Sequence, residues 1–375
     1  MEIDEERLVS TLQSLVKIPS FKDSIDISRW VKDELQGFGY EVYSDSDGNL
    51  IAEIGKGPGF LLNAHLDTVG PGEGWKHDPF SGEIHDGKLY GRGASDCKAG
   101  VAAMIEIARI LKRDEKKLRK RVVFTFTAFE EGYSEGENGV CRILPKLKGI
   151  DKGLSLEPSA LGKTIGIAVG CRGSTFYHVE IFGKRGHSSR PHLSDNPVYK
   201  FPAFLERIKH FPRRKTMIPL TGEIVNDQIT VTEIHAEEGA NVVPGVCRVT
   251  LDRRSLPDEK PGEVDGKLER ICRQAFGNKF RMMRENAKQG YYFDDRRFLD
   301  MCVNAVESLG LKAKPYFQQA RIDSSLLYNL GNIGSFMLGP GSMNLAHQID
   351  EHCEIEGMFR ATEAVLEVIR RWDKG

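Results

Sequence analysis

Phe60-Leu61-Leu62-Asn63-Ala64-His65-Leu66-Asp67 begins as a buried strand and ends in two side chains able to bind a metal. The apolar run Phe60-Leu61-Leu62 follows the turn-rich Gly55-Lys56-Gly57-Pro58-Gly59, which is the pattern of a strand buried on both faces. His65 and Asp67 stand two positions apart, so on a strand they point the same way. Ligands of an open α/β sheet collect beyond the carboxyl ends of its strands. The aspartate there either joins the histidine on a metal or orients it. Alone, the pair reads equally well as the solvated end of a strand, and further ligands in the right places must decide.

Three later stretches supply them. Gly91-Arg92-Gly93-Ala94-Ser95-Asp96-Cys97-Lys98-Ala99-Gly100 is a tight, glycine-rich turn between Lys88-Leu89-Tyr90 and an apolar helix from Val101 to Leu111. Asp96 is then either the cap of that helix or a carboxylate aimed into a site. The turn has neither Gly-x-Gly-x-x-Gly nor Gly-Lys-Ser/Thr, which argues against a nucleotide loop. The apolar strand Val122 to Phe129 runs straight into Glu130-Glu131. Adjacent carboxylates at a buried strand end call for a compensating cation. Gly153-Leu154-Ser155-Leu156 ends in Glu157-Pro158 in the same manner. Strand ends that repeatedly carry acids, with helices between, describe one sheet building one site.

The totals narrow the function. A chain of 375 residues can bury a large core and suits two domains. It is 40% hydrophobic and 29% charged with net charge −1, and neither a nucleic-acid nor a membrane partner is indicated. The basic run Lys112 to Arg121 sits at a helix end, where cations suit the dipole, and reads as a solvated face. The acidic Met1 to Glu6 is unlike a signal peptide, and no apolar run is long enough to span a bilayer. The seven cysteines are scattered and never form Cys-x-x-Cys, which points to a reducing cytoplasm.

In chain order the pattern predicts helices at 5–17 and 24–38, then strands at 40–42, 50–54 and 61–64. The middle reads as a strand at 174–182, a helix ending near Phe211, strands at 224–234 and 247–253, a helix at 262–276 and a strand at 279–283. A helix at 294–309, strands at 312–317 and 334–338, and a helix at 356–372 close the chain. The middle order, β-α-β-β-α-β, is ferredoxin-like.

His65-x-Asp67, Gly91-Arg92-Gly93-x-x-Asp96-x-Lys98, Glu130-Glu131, Glu157-Pro158 and Ala346-His347-Gln348-Ile349-Asp350-Glu351 occur in the order of the M20 metallopeptidase and deacylase family, which the chain resembles over nearly its whole length. The resemblance implies an α/β fold: a zinc-peptidase-like catalytic domain (1–172 and 285–375) with an inserted ferredoxin-like lid (173–284). It implies two divalent metal ions, zinc or alternatively cobalt, held by His65, Asp96, Glu131, Glu157 and His347, with Asp96 bridging. Asp67 would hold His65, and Glu130 would act as general base. His187 in the lid resembles the histidine that stabilises the oxyanion, often across a dimer. Asn241 and Arg253, or Arg254, resemble residues that bind a substrate carboxylate, with Arg190 and His192 as further contacts. Glu157 at the fourth acid favours an N-acyl-L-amino acid, as in acetylornithine deacetylase or succinyl-diaminopimelate desuccinylase, over a free-amine peptide. The alternatives are a carboxypeptidase or dipeptidase, or a non-catalytic binding protein on the same fold. Ser14-Leu15-Val16-Lys17 matches Ser-x-x-Lys, but no Lys-Thr-Gly accompanies it. The segment Ala320-Arg321-Ile322-Asp323-Ser324 departs from the family's glycine-rich form, which bears on substrate selection.

Overall fold

The computed structural model describes residues 2–131, 138–236 and 239–375. Its larger sheet has ten strands. Gly59–His65, buried along its whole length, lies at the centre, parallel to Arg121–Thr127 on one side and Ile150–Ser155 on the other. Gly334–Met337 adds in parallel beside Ile150–Ser155. The register sets His65 opposite Thr127, Asn63 opposite Ser155, and Ser155 opposite Met337. These carboxyl ends therefore reach one edge together. The segments bearing Asp67, Glu130, Glu131, Glu157 and His347 all leave from it.

A strand buried on both faces alternates its side chains between two cores. Phe60 and Leu62 join the large core beneath helices Glu5–Val16, Lys98–Arg113 and Ile355–Lys374, while Leu61 joins Val123, Val140, Leu326 and Leu327 on the opposite face. Each fully buried leucine contributes about 1.5–3 kcal/mol. The sheet edge that carries the site thus rests on packing from both sides.

The inserted unit has its own four-stranded antiparallel sheet, in the order Gln228–His235, Val246–Ser255, Gly173–Phe182, Phe280–Lys288. Helices Phe201–Lys209 and Asp265–Phe276 cover one face, and Phe204, Ile208, Leu268 and Phe276 fill a separate core with Val179, Ile181 and Leu251. This is the ferredoxin-like arrangement read from the sequence. The closing strand runs to Lys288, beyond the expected 283. The expected single strand 224–234 is divided at the buried Asp227. Ile224–Asn226 pairs with Lys215–Met217, and only the second half enters the sheet. Two of the longer elements were not anticipated: strand Thr164–Cys171, which pairs in parallel with Ala313–Gln318, and helix Ser324–Gly331. That helix spans too few residues to display a helical period.

Candidate active site

The predicted ligands converge at the sheet edge. His65 ends its strand with the ring 1% exposed. Its Nδ1 lies 3.0 Å from the Asp67 carbonyl oxygen, and its Nε2 lies 3.0 Å from Asp96 Oδ1. His347 Nε2 is 2.7 Å from Glu131 Oε1 and 3.9 Å from Asp96 Oδ2. Asp96 therefore turns one oxygen to each imidazole. Donor atoms of His65, Glu130 and Glu131 crowd within 4.8 Å of one another, as do those of Asp96, Glu131 and His347. Asp96 is not the helix cap: the helix starts at Lys98, with Cys97 at the cap position. Glu157 stands apart from these tight groups. Its Oε1 accepts from Ser155 Oγ at 2.8 Å and from the Asp323 amide at 3.1 Å.

Asp67 meets His65 Nδ1 through its carbonyl oxygen at 3.0 Å and its carboxylate Oδ1 at 3.7 Å, and it engages the acidic pair as well. Its carboxylate accepts the backbone amides of Glu130 and Glu131 at 3.1 and 2.9 Å. Asp67 thus fixes the acidic pair, which follows Phe129 at φ +62. His347 also lies in the left-handed region, at φ +63. Such backbone costs about 1–2 kcal/mol for a non-glycine residue, and positions of this kind cluster at functional sites.

Sequence reasoning missed Glu351. It is 1% exposed and accepts the amides of Gly93, Ser95 and Asp96 together with Arg92 Nη1. One carboxylate thereby ties the loop of Asp96 to the segment of His347. The faint signal was its place four residues after His347. Asp323 was missed as well. Fully buried, it receives Asn63 Nδ2, Thr127 Oγ1 and Asn138 Nδ2 beneath the strand ends.

The electrostatics show a surplus of negative charge. Burial pushes the Glu157 carboxyl well above its usual range, with Glu130 and Asp323 adding repulsion. Burial takes Glu130 to about 7 against the pull of Arg321, whose Nη1 donates to Glu130 Oε1. Burial likewise raises Asp67. Clustered imidazoles and carboxylates, one of them divided between two rings, fit a pair of divalent cations.

The lid residues behave differently. His187 pairs with Val242, and Ser188 N donates to the Asn241 carbonyl at 3.0 Å, so His187 and Asn241 are neighbours. Among the described residues, the side-chain bonds of His187 go to Ser189. The structure does not bring it to the acidic cluster of the same chain. Arg190 and His192 are exposed on the same loop. The expectation for Arg253 needs correction. The residue is 1% exposed, and its Nη2 donates at 2.6 Å to both Asp227 and Glu259, so its guanidinium is committed inside the lid and not open to substrate. Arg254 folds back onto Asp252. Ser14 Oγ merely donates to the Ser10 carbonyl on an exposed helix face.

Strand ends that gather imidazoles and carboxylates beside a buried glutamate define a class, the metal-dependent hydrolases. The model of peptidase family M20/M25/M40 matches residues 61–371, and the chain belongs to that family, whose members hydrolyse amide bonds. Succinyl-diaminopimelate desuccinylase of Wolbachia pipientis wMel is 27% identical over 99% of this chain and 94% of its own. The dipeptidase Dug1p of Saccharomyces cerevisiae superposes with TM-score 0.80 at 15% identity over all of both chains. YXEP of Bacillus subtilis, a dinuclear metal-binding M20 peptidase, superposes with TM-score 0.75 at 16% identity over 99% of this chain and 98% of that one. No helix among the described residues is long and apolar enough to cross a membrane.

Proposed function

We propose that this protein removes the acyl group from an N-acyl-L-amino acid of amino-acid biosynthesis, with succinyl and acetyl amides as first candidates. It does so as a cytoplasmic homodimer joined through the lid. The observation that carries the reading is Asp96, set between His65 and His347 with Glu130 alongside. The desuccinylase name of full-length relatives supports the substrate class.

His65, Asp96, Glu131, Glu157 and His347 would hold two divalent cations, zinc or cobalt. When bound, these supply Lewis-acid activation of water and of the amide carbonyl. Glu130, fixed at its amide by Asp67, takes a proton from the attacking water and delivers it to the departing amine. His187 Nδ1 accepts from Ser189 N, which puts the ring proton on Nε2. That N–H, contributed from the partner subunit's lid, donates to the oxyanion, and Asn241 stands beside it.

The test is a panel of N-succinyl and N-acetyl amino acids and dipeptides, offered to wild type and Glu130→Ala with zinc, cobalt or chelator. Cation-dependent amine release from the acyl amino acids, lost in Glu130→Ala, is expected. Cleavage of dipeptides alone would replace the deacylase reading with a dipeptidase.

A further inference from the structure

Arg321 is a buried cation in the cleft that the chemistry above leaves without a task. It lies between the strand Ala313–Gln318 and the helix Ser324–Gly331 and is 9% exposed. Nη1 holds Glu130 Oε1. Nε and Nη2 are buried and, among the described residues, meet no hydrogen-bond acceptor. The next carboxylate, Asp323, is 3.9 Å from Nη2, and its oxygens are already occupied by Asn63, Thr127 and Asn138. Arg253 in the lid also keeps Nη1 without an acceptor among the described residues, but its Nε and Nη2 are closed between two carboxylates, whereas Arg321 has Nη1 alone engaged.

Buried donors without acceptors are costly, and an incoming acceptor recovers that cost. Any amide processed by Glu130 must come up against the residue paired with Glu130. Next to Arg321 along the chain, Ala320 lines a cavity of about 420 Å³ with Pro158, Lys314, Gln318 and Gln319. Gln318 Nε2 is also buried and, among the described residues, without an acceptor. Glu223 lines the cavity too, with Oε2 taken by the Phe317 amide. The matching partner for a planar fork of donors is a carboxylate.

We infer that Arg321 is a specificity residue that receives a carboxylate of the substrate, borne either on the acyl arm or on the amino acid released. The inference rests on the deacylase reading and names the substrate group that this reading leaves open. Until substrate arrives, Glu130 holds the guanidinium in the cleft.

The experiment compares wild type, Arg321→Lys and Arg321→Met on three substrates: an N-succinyl-L-amino acid, its analogue with the succinyl carboxylate as a primary amide, and its analogue with the α-carboxylate as a primary amide. Wild type is expected to lose about 10- to 100-fold in kcat/KM on one analogue, which identifies the carboxylate that is read. In Arg321→Met that discrimination falls to within about threefold, with Arg321→Lys intermediate because it keeps the charge without the fork. Loss of kcat by the same factor on all three substrates, with discrimination intact, would overturn the inference and leave Arg321 as a positioning residue for Glu130. Equal use of all three by wild type would overturn it as well. If wild type cleaves none, the deacylase reading itself fails. Calorimetric binding of succinate, of the free L-amino acid and of the primary amide of each to metal-loaded wild type and Arg321→Lys then decides the question for Arg321, since equal affinities within both pairs would sink it. The lysine variant also carries the comparison if the methionine variant does not fold.

Discussion

The lid and the cleft each bury a group of charges, and the two groups are balanced differently. In the lid, Arg253 lies between Asp227 and Glu259, with Arg214 further out against Asp258 and Glu263. In the cleft, Asp67, Asp96, Glu130, Glu131, Glu157 and Asp323 face Arg321, His65 and His347. Charge neutralised within the fold holds structure together. Charge left in surplus is expensive unless something from outside completes it, and that surplus marks a site. The distinction is visible only in the partners, because Arg253, Asp227 and Glu259 in the lid and Asp67, Glu157 and Asp323 in the cleft are all buried.

The comparison can be broken most sharply at Glu130. Glu130→Ala should lower kcat by about 10²- to 10⁴-fold, with cation content unchanged by elemental analysis. Its melting temperature should change little, because relief of the repulsion from Glu131 and Asp323 is set against loss of the pairing with Arg321. Arg253→Met should do the reverse. Leaving Asp227 and Glu259 unpaired costs about 3–5 kcal/mol in urea denaturation, while kcat/KM of the folded fraction stays within about twofold. A large activity loss at unchanged stability would return Arg253 to the substrate.

Glu351 belongs to both kinds, being structural in its contacts and functional in what it positions. Glu351→Gln keeps the shape and weakens charge-assisted bonds to the Gly93, Ser95 and Asp96 amides. It should cost about 1.5–3 kcal/mol and lower cation affinity, measured by competition with a chelating dye. A stability loss without any change in affinity would place Glu351 wholly with the lid type.

The smallest expected effect is on pH dependence. Glu130 in the folded, cation-free protein titrates near 7 against an ordinary value of 4.5, raised first by burial, and Glu157 is raised in the same direction. Between those values the folded state binds more protons than the unfolded chain, so stability falls as pH rises. The contribution is fully present below about pH 4.5 and is lost through about pH 7. Melting temperatures of chelated protein should therefore drop across that window, and the cation-loaded form should not follow. Parallel curves would mean that the cleft is as self-balanced as the lid.

The sequence determined a good deal alone. The apolar run at 60–62, the acids following strands at 130–131 and 157, and the glycine-rich turn before a helix are local patterns, dictated by side-chain period and turn chemistry. They specify a sheet whose strand ends carry the candidate ligands, and the β-α-β-β-α-β order of the middle specifies the lid. What tertiary structure alone decided concerns partners that are distant in the chain. Arg321 meets Glu130 across 191 positions, and Glu351 meets the Asp96 amide across 255. Arg253 carries the residue type of a substrate clamp, yet Asp227 and Glu259 remove it from that role. The charge state and availability of a side chain depend on what packs against it in three dimensions, and no periodicity in the chain encodes which carboxylate a buried guanidinium will find.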